Sequence, residues 1–174
     1  EEDAAGNESS VVTNSVATDV TAPSFENSTP SAASIGTTSF TLNTDIDEAG
    51  TIFYVVLADG ATAPTSTEAV NGTGNGGAAA VTSDNASVTT GGFTNAFSVT
   101  GLTAGTDYDV YVVARDQLSN LQASPTLVNV STSAIPSFSV NDPSVSEGAS
   151  GSTTLTYIVT LSSGAPAGGA TVDF

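Results

Sequence analysis

From Leu102 to Asp116 the chain reads L-T-A-G-T-D-Y-D-V-Y-V-V-A-R-D, a tight turn followed by strict alternation. Tyr108, Val110, Val112 and Ala114 fall on one face, and Asp107, Asp109 and Arg115 on the other. A period of two is that of a strand with one buried and one wet face. Phe40 and Leu42 mark an earlier strand, with Ile46 continuing its face, and Thr51–Ala58 is apolar on both faces, as a central strand is. Phe97 and Val99 precede the Leu102 stretch, and Leu127 to Val130 follow it. Clusters of Gly, Asn, Asp and Pro separate these runs, which is the pattern of an all-β sandwich. One segment departs from it. At Pro64 to Val70, Thr65 or Thr67 is placed to cap a single helical turn ending before Asn71-Gly72. That turn lies in a Gly-, Ala- and Thr-rich excursion from Asp59 to Gly92.

An internal repeat sets the larger organisation. Asp3, Asn7, Thr13, Pro23, Ser24 and Phe25 match Asp116, Asn120, Thr126, Pro136, Ser137 and Phe138, each pair 113 positions apart without a gap. A period of about 110 residues is one sandwich domain. The expected division is 1–22 as the last strand of a preceding immunoglobulin-like domain plus linker, 23–133 as a complete sandwich, and 134–174 as the start of another. In the last part Phe138 and Val140 open a strand, Leu155, Tyr157, Val159 and Leu161 alternate as a second, and Ala170 to Phe174 begins a third. Three strands leave edges unpaired. The expected partners are therefore other domains of the same long chain, or identical subunits that complete the split domains by strand addition.

Charge narrows the function classes. Eighteen carboxylates face a single cation, Arg115, giving a net charge of -17. Such a surface repels nucleic acid and anionic membranes, and no run of about 18 apolar residues is present to span a bilayer. There is no Cys, so neither disulfides nor thiolate metal sites are available. The acidic opening Glu1-Glu2-Asp3 is the opposite of a signal peptide's basic start, so an export signal would lie outside the sequence.

The motif Leu102…Gly105-Thr106…Tyr108…Val110…Val112…Ala114 resembles the fibronectin type III family, over about 24–133. The resemblance implies that Leu102 packs beneath the turn and that Tyr108 forms a tyrosine corner, its hydroxyl bonding back to the backbone. The Trp common on the second strand of that family is missing; Phe40 or Leu42 takes its place. The last segment, with Glu147-Gly148 after its first strand and T-V-D-F at 171–174, resembles the start of a Calx-β domain. That likeness implies a calcium ligand at Glu147. The opening residues resemble the closing strand of bacterial immunoglobulin-like repeats in surface adhesins, which implies an extracellular or cell-surface location in a bacterium.

The absence of His, Cys and Lys removes Ser-His, Cys-His and Schiff-base arrangements, so an enzyme is not expected. Calcium fits the residues better, because it takes six to eight oxygen ligands. Asp45-Ile46-Asp47-Glu48-Ala49-Gly50 matches the first half of an EF-hand loop, but position twelve would be Val56 within a strand, so the motif reads as a polar turn or a smaller site. Domain junctions are the better places. Asp3, Asn7 and Asp19 flank one, and Asp116, Asn120 and Asp142 the other. The metal candidates are thus Glu147, Asp142, Asp3, Asp19 and Asp116, with Ca2+ as the ion. Asn71 to Gly77 looks superficially like a phosphate-cradling loop, yet it lacks a Lys and a following apolar helix, and reads as a flexible loop. The expected function is a structural or adhesive module of a large extracellular surface protein, a stalk stiffened by calcium whose adhesion ligand the sequence does not name. The alternative is a subunit of an extracellular filament or sheath.

Overall fold

The computed structural model describes residues 18–90, 95–146, 148–164, 169 and 171. Seven strands form two antiparallel sheets that close on one core. β1 (Ser31–Ala33), β2 (Ser39–Thr44) and β5 (Asn95–Thr100) make one sheet, in the order β1-β2-β5. β3 (Gly50–Ala58), β4 (Thr82–Val88), β6 (Asp107–Asp116) and β7 (Thr126–Ser131) make the other, in the order β4-β3-β6-β7. Phe40, Leu42, Phe97 and Val99 from the first sheet meet Ile52, Tyr54, Val56, Tyr108, Val110 and Val112 from the second. Tyr54 and Phe97 join the sheets edge to face, with ring centroids 5.1 Å apart. Alternation along β2, β5 and β6 supplies these inward positions, as the period of two predicts.

The other face of β6 is not wet. Asp109 is only 6% exposed, and Tyr111 and Val113 are buried with Phe53, Val55 and Leu57 in a second apolar layer. The cause is the excursion after β3, which folds back as a cap over the four-stranded sheet. It carries α1 (Ser66–Val70), begun by Thr65 with Glu68 in a capping box, and a tight turn at Asn75–Gly77. Ala69 of α1 is packed in the layer beneath. Asp109 remains satisfied there by the Gly60 N–H, 3.0 Å from its Oδ2.

Strand direction fixes where the chain arrives and leaves. Gly50 pairs with Asp116 at one end of β3–β6, and Ala58 with Tyr108 at the other. The arriving segment lies at the Gly50–Asp116 pole, where Phe25 bridges Ile46, the Asp47 N–H donates to the Ser24 carbonyl and the Ser24 N–H donates to the Asp47 carboxylate. β7 runs the opposite way and ends with Ser131 opposite Asp107. The chain departs there, with the Ser133 N–H bonded to the Gly36 carbonyl at 2.9 Å and the Gly105 N–H to the Ser133 carbonyl at 3.1 Å. Ten residues of β6 separate the poles, about 30 Å at the usual rise of a strand.

Beyond the departing linker, β8 (Phe138–Val140) and β9 (Val159–Leu161) form a two-stranded antiparallel ribbon. β9 is shorter than the alternation from Leu155 to Leu161 predicts. The third strand expected over 170–174 lies outside the described residues except for Thr171. Phe138 pairs with Leu161 and Val140 with Val159, so one face of the ribbon is an apolar stripe, with Phe138 46% and Val140 56% exposed.

Candidate metal centre

Three carboxylates converge at the arriving pole. Oxygens of Asp19 on the linker, Glu48 before β3 and Asp116 at the end of β6 all lie within 4.8 Å of one another. Each is positioned by local structure. The Asp19 Oδ1 accepts the Thr21 N–H at 2.9 Å, which turns the linker. Asp116, 7% exposed, accepts the Asn120 N–H at 2.7 Å and its Nδ2 at 2.6 Å, closing the turn into β7. Glu48 reaches this pair because Gly50 lets β3 begin hard against β6. A Cβ at Gly50 would collide with the Arg115 carbonyl.

The linker is held to the same pole by amides. Asn120 Nδ2 also donates to the Asp19 carbonyl at 3.1 Å. Gln122 donates from Nε2 to the Pro23 carbonyl at 2.8 Å and accepts the Ala114 N–H on Oε1 at 2.9 Å. Asp47 Oδ1 takes the Ser24 N–H at 2.8 Å.

Electrostatics at the cluster are unfavourable to three bare charges. The Glu48 carboxyl is raised above the ordinary glutamate value, first by loss of solvation, then by the charges of Asp19, Asp116 and Asp47, and by a hydrogen bond with Asp19. The one cation of the chain is turned elsewhere: Arg115 lies over the Phe53 ring, 5.2 Å from its centroid, on the opposite face of β6 from Ala114 and Asp116. Hard oxygen donors this close suit a divalent ion. Two oxygens bound to one calcium at 2.3–2.6 Å lie no more than about 5 Å apart, which all three pairs satisfy.

Of the residues singled out by sequence, Asp19 and Asp116 are brought together. Asp142 is not; it is exposed after β8, on the far side of the departing linker. Grouping Asp116 and Asn120 with Asp142 followed sequence proximity, but β6 runs back toward the arriving pole and carries Asp116 the length of the unit away. Asp3 and Glu147 lie outside the described residues. Glu48 lies in the Asp45–Gly50 string that reads as a polar turn or a smaller site, and spacing alone did not group it with Asp19 and Asp116. Nearby, Asp45 is 2% exposed; its Oδ2 accepts the Asn27 Nδ2 at 2.7 Å, while its buried Oδ1 has no partner among the described residues. Leu102 is buried in the core, and the Tyr108 hydroxyl accepts the Thr103 N–H at 2.9 Å.

No protein-family model matches the chain, and no curated protein matches its sequence. Among the described residues, no helix is long and apolar enough to cross a membrane.

Proposed function

We propose that the chain is a structural, adhesive segment of a large modular extracellular surface protein of a bacterium. In this reading a fibronectin type III-like sandwich over 23–133 acts as a rigid spacer. It stands between the closing strand of an immunoglobulin-like domain (1–22) and the opening part of a Calx-β-like sandwich (134–174). One observation carries the reading: the chain enters and leaves the unit at opposite poles, and the arriving linker is hydrogen-bonded to it through the Asp19 carbonyl and Asn120 Nδ2. Units joined end to end in this way transmit direction along a chain. Joined by free linkers they would not.

Calcium is the ion we assign to Asp19, Glu48 and Asp116. When bound it supplies charge neutralisation and a bridge between linker and unit, because Asp19 belongs to one and Glu48 and Asp116 to the other. The reading is non-enzymatic and involves neither nucleic acid nor membrane insertion. Imaging of the native protein with calcium and with a chelator tests it. Straight, regularly spaced rods with calcium and loss of straightness in chelator support the stalk; an unchanged outline sinks calcium stiffening.

A second reading is favoured by the exposed apolar stripe of Phe138, Val140 and Val159 on the β8–β9 ribbon. Such a stripe needs a cover, and in a filament or sheath an identical subunit would supply it by strand addition. Regular fibres assembled from the purified chain would support this reading over the stalk. A concentration-independent monomer would exclude it.

A further inference from the structure

The Asn71–Gly77 loop has the look of an anion cradle, and in the structure an anion does sit in it: the carboxylate of Glu68. Glu68 Oε1 accepts the Gly76 N–H at 2.7 Å. Its other oxygen, Oε2, accepts the Thr65 N–H at 2.7 Å and the Thr65 hydroxyl at 2.9 Å. A capping box requires only the Thr65 N–H bond and its reciprocal, the Glu68 N–H donated to Thr65 Oγ1 at 3.2 Å. The bond to Gly76, eight residues further on, joins the helix to a separate loop. The backbone is shaped for it. Gly76 and Gly77 take φ of +67° and +80° with open space where a Cβ would stand, so glycine is needed there for conformation: Gly76 aims its amide at the carboxylate, and the Gly77 N–H closes the turn on the Gly74 carbonyl at 3.0 Å. The loop is also drawn to the same residue from below, since the Glu68 carbonyl accepts the Thr73 N–H at 2.9 Å. Gly74 completes the fit by resting on Leu57, where a Cβ would stand 3.1 Å from a methyl carbon.

We propose that the Asn71–Gly77 loop is a carboxylate-binding nest whose ligand is the chain's own Glu68, and that its occupancy holds the 59–81 cap over the outer face of the four-stranded sheet. A tethered ligand suits this molecule. With a net charge of -17 the chain repels free anions, whereas a carboxylate eight residues away is present at high effective concentration. The cap in turn covers Phe53, Val55, Leu57, Tyr111 and Val113. The class of external ligand that the vacated nest would take is a small monocarboxylate.

Hydrogen exchange on the full chain tests this, comparing the natural protein with Glu68→Ala in excess acetate and in chloride of equal ionic strength. Exchange over residues 66–77 is expected to rise about tenfold or more in the variant, while residues 108–114 of β6 keep their protection. Acetate is expected to restore much of the lost protection in the variant and to change nothing in the natural protein. Unchanged exchange over 66–77 in the variant would overturn the proposal, and so would a rise that acetate does not reduce. Should Glu68→Ala fail to fold, the natural protein still decides. The Gly76 amide proton is expected to shift as one carboxyl titrates, and an amide insensitive to pH would overturn the proposal as well.

Discussion

Asn120 donates from a single side-chain nitrogen to the Asp116 carboxylate at 2.6 Å and to the Asp19 carbonyl at 3.1 Å, across 101 positions of sequence in the second case. One amide thus closes the turn between β6 and β7 and fastens the arriving linker to it. Replacing Asn120 by Ala leaves one buried oxygen of Asp116 without its donor. A hydrogen bond to a charged group contributes roughly 1.5–3 kcal/mol, and a loss of that order is expected in the denaturant midpoint. The same variant should increase hydrogen exchange over residues 18–23, which a purely local effect on the turn would not do.

The Tyr108 hydroxyl fixes the turn that begins at Leu102. Tyr108→Phe keeps the ring in the core and removes only the acceptor of the Thr103 N–H. Because Thr103 is at the surface, water replaces part of the bond, and the expected cost is about 1 kcal/mol. Leu102→Ala leaves a cavity in the core and should cost about 2–5 kcal/mol. Urea denaturation of the two variants checks both the order and the gap.

Much of this was legible in the residues and some was not. Strict alternation placed β6, and short apolar runs placed β2, β3, β5 and β7, β3 as a run apolar on both faces. The helical turn at Ser66–Val70 was legible from Thr65 and the Asn71-Gly72 stop. What alternation cannot report is a cover contributed by a distant, weakly apolar segment, and so Asp109 read as solvated. The acidic cluster was half visible. Asp19 and Asp116 stood out as junction residues, but their meeting depends on the antiparallel return of β6, and Glu48 joins them only through the β3–β6 register at Gly50–Asp116.

Two glutamates should give opposite pH signatures. Glu68 has its carboxyl lowered below the ordinary value, chiefly by the backbone hydrogen bond from Thr65 and then by the Thr65 hydroxyl. A lowered folded value means stability that is fully present above the unfolded value and is lost as pH falls through the folded one. Glu68→Gln should therefore be less stable than the natural protein at neutral pH, with the difference vanishing in acid. Glu48 is raised, so without divalent ions its charged form destabilises the fold at neutral pH, and acid relieves it. Glu48→Gln in chelator should be the more stable protein at neutral pH, with the advantage fading as pH falls. Thermal melts of both variants across pH, in chelator, check the signs.

Gly50→Ala should damage the fold and the cluster together, since its Cβ meets the Arg115 carbonyl and pushes Glu48 away from Asp116. Overpacking of this kind costs about 1–3 kcal/mol. Calcium should then raise the melting temperature of the variant less than that of the natural protein.

The central claim is that Asp19, Glu48 and Asp116 take one calcium ion and thereby fasten the linker to its unit. Calorimetric titration of calcium into the full chain, beside Glu48→Gln and Asp116→Asn, tests it most directly. The prediction is a saturable binding event in the natural protein that both variants weaken at least about tenfold. At a hundredfold excess over the dissociation constant, calcium should add about 2.7 kcal/mol to the natural protein's stability. Equal heats from all three proteins, or no saturable heat from any, would contradict it.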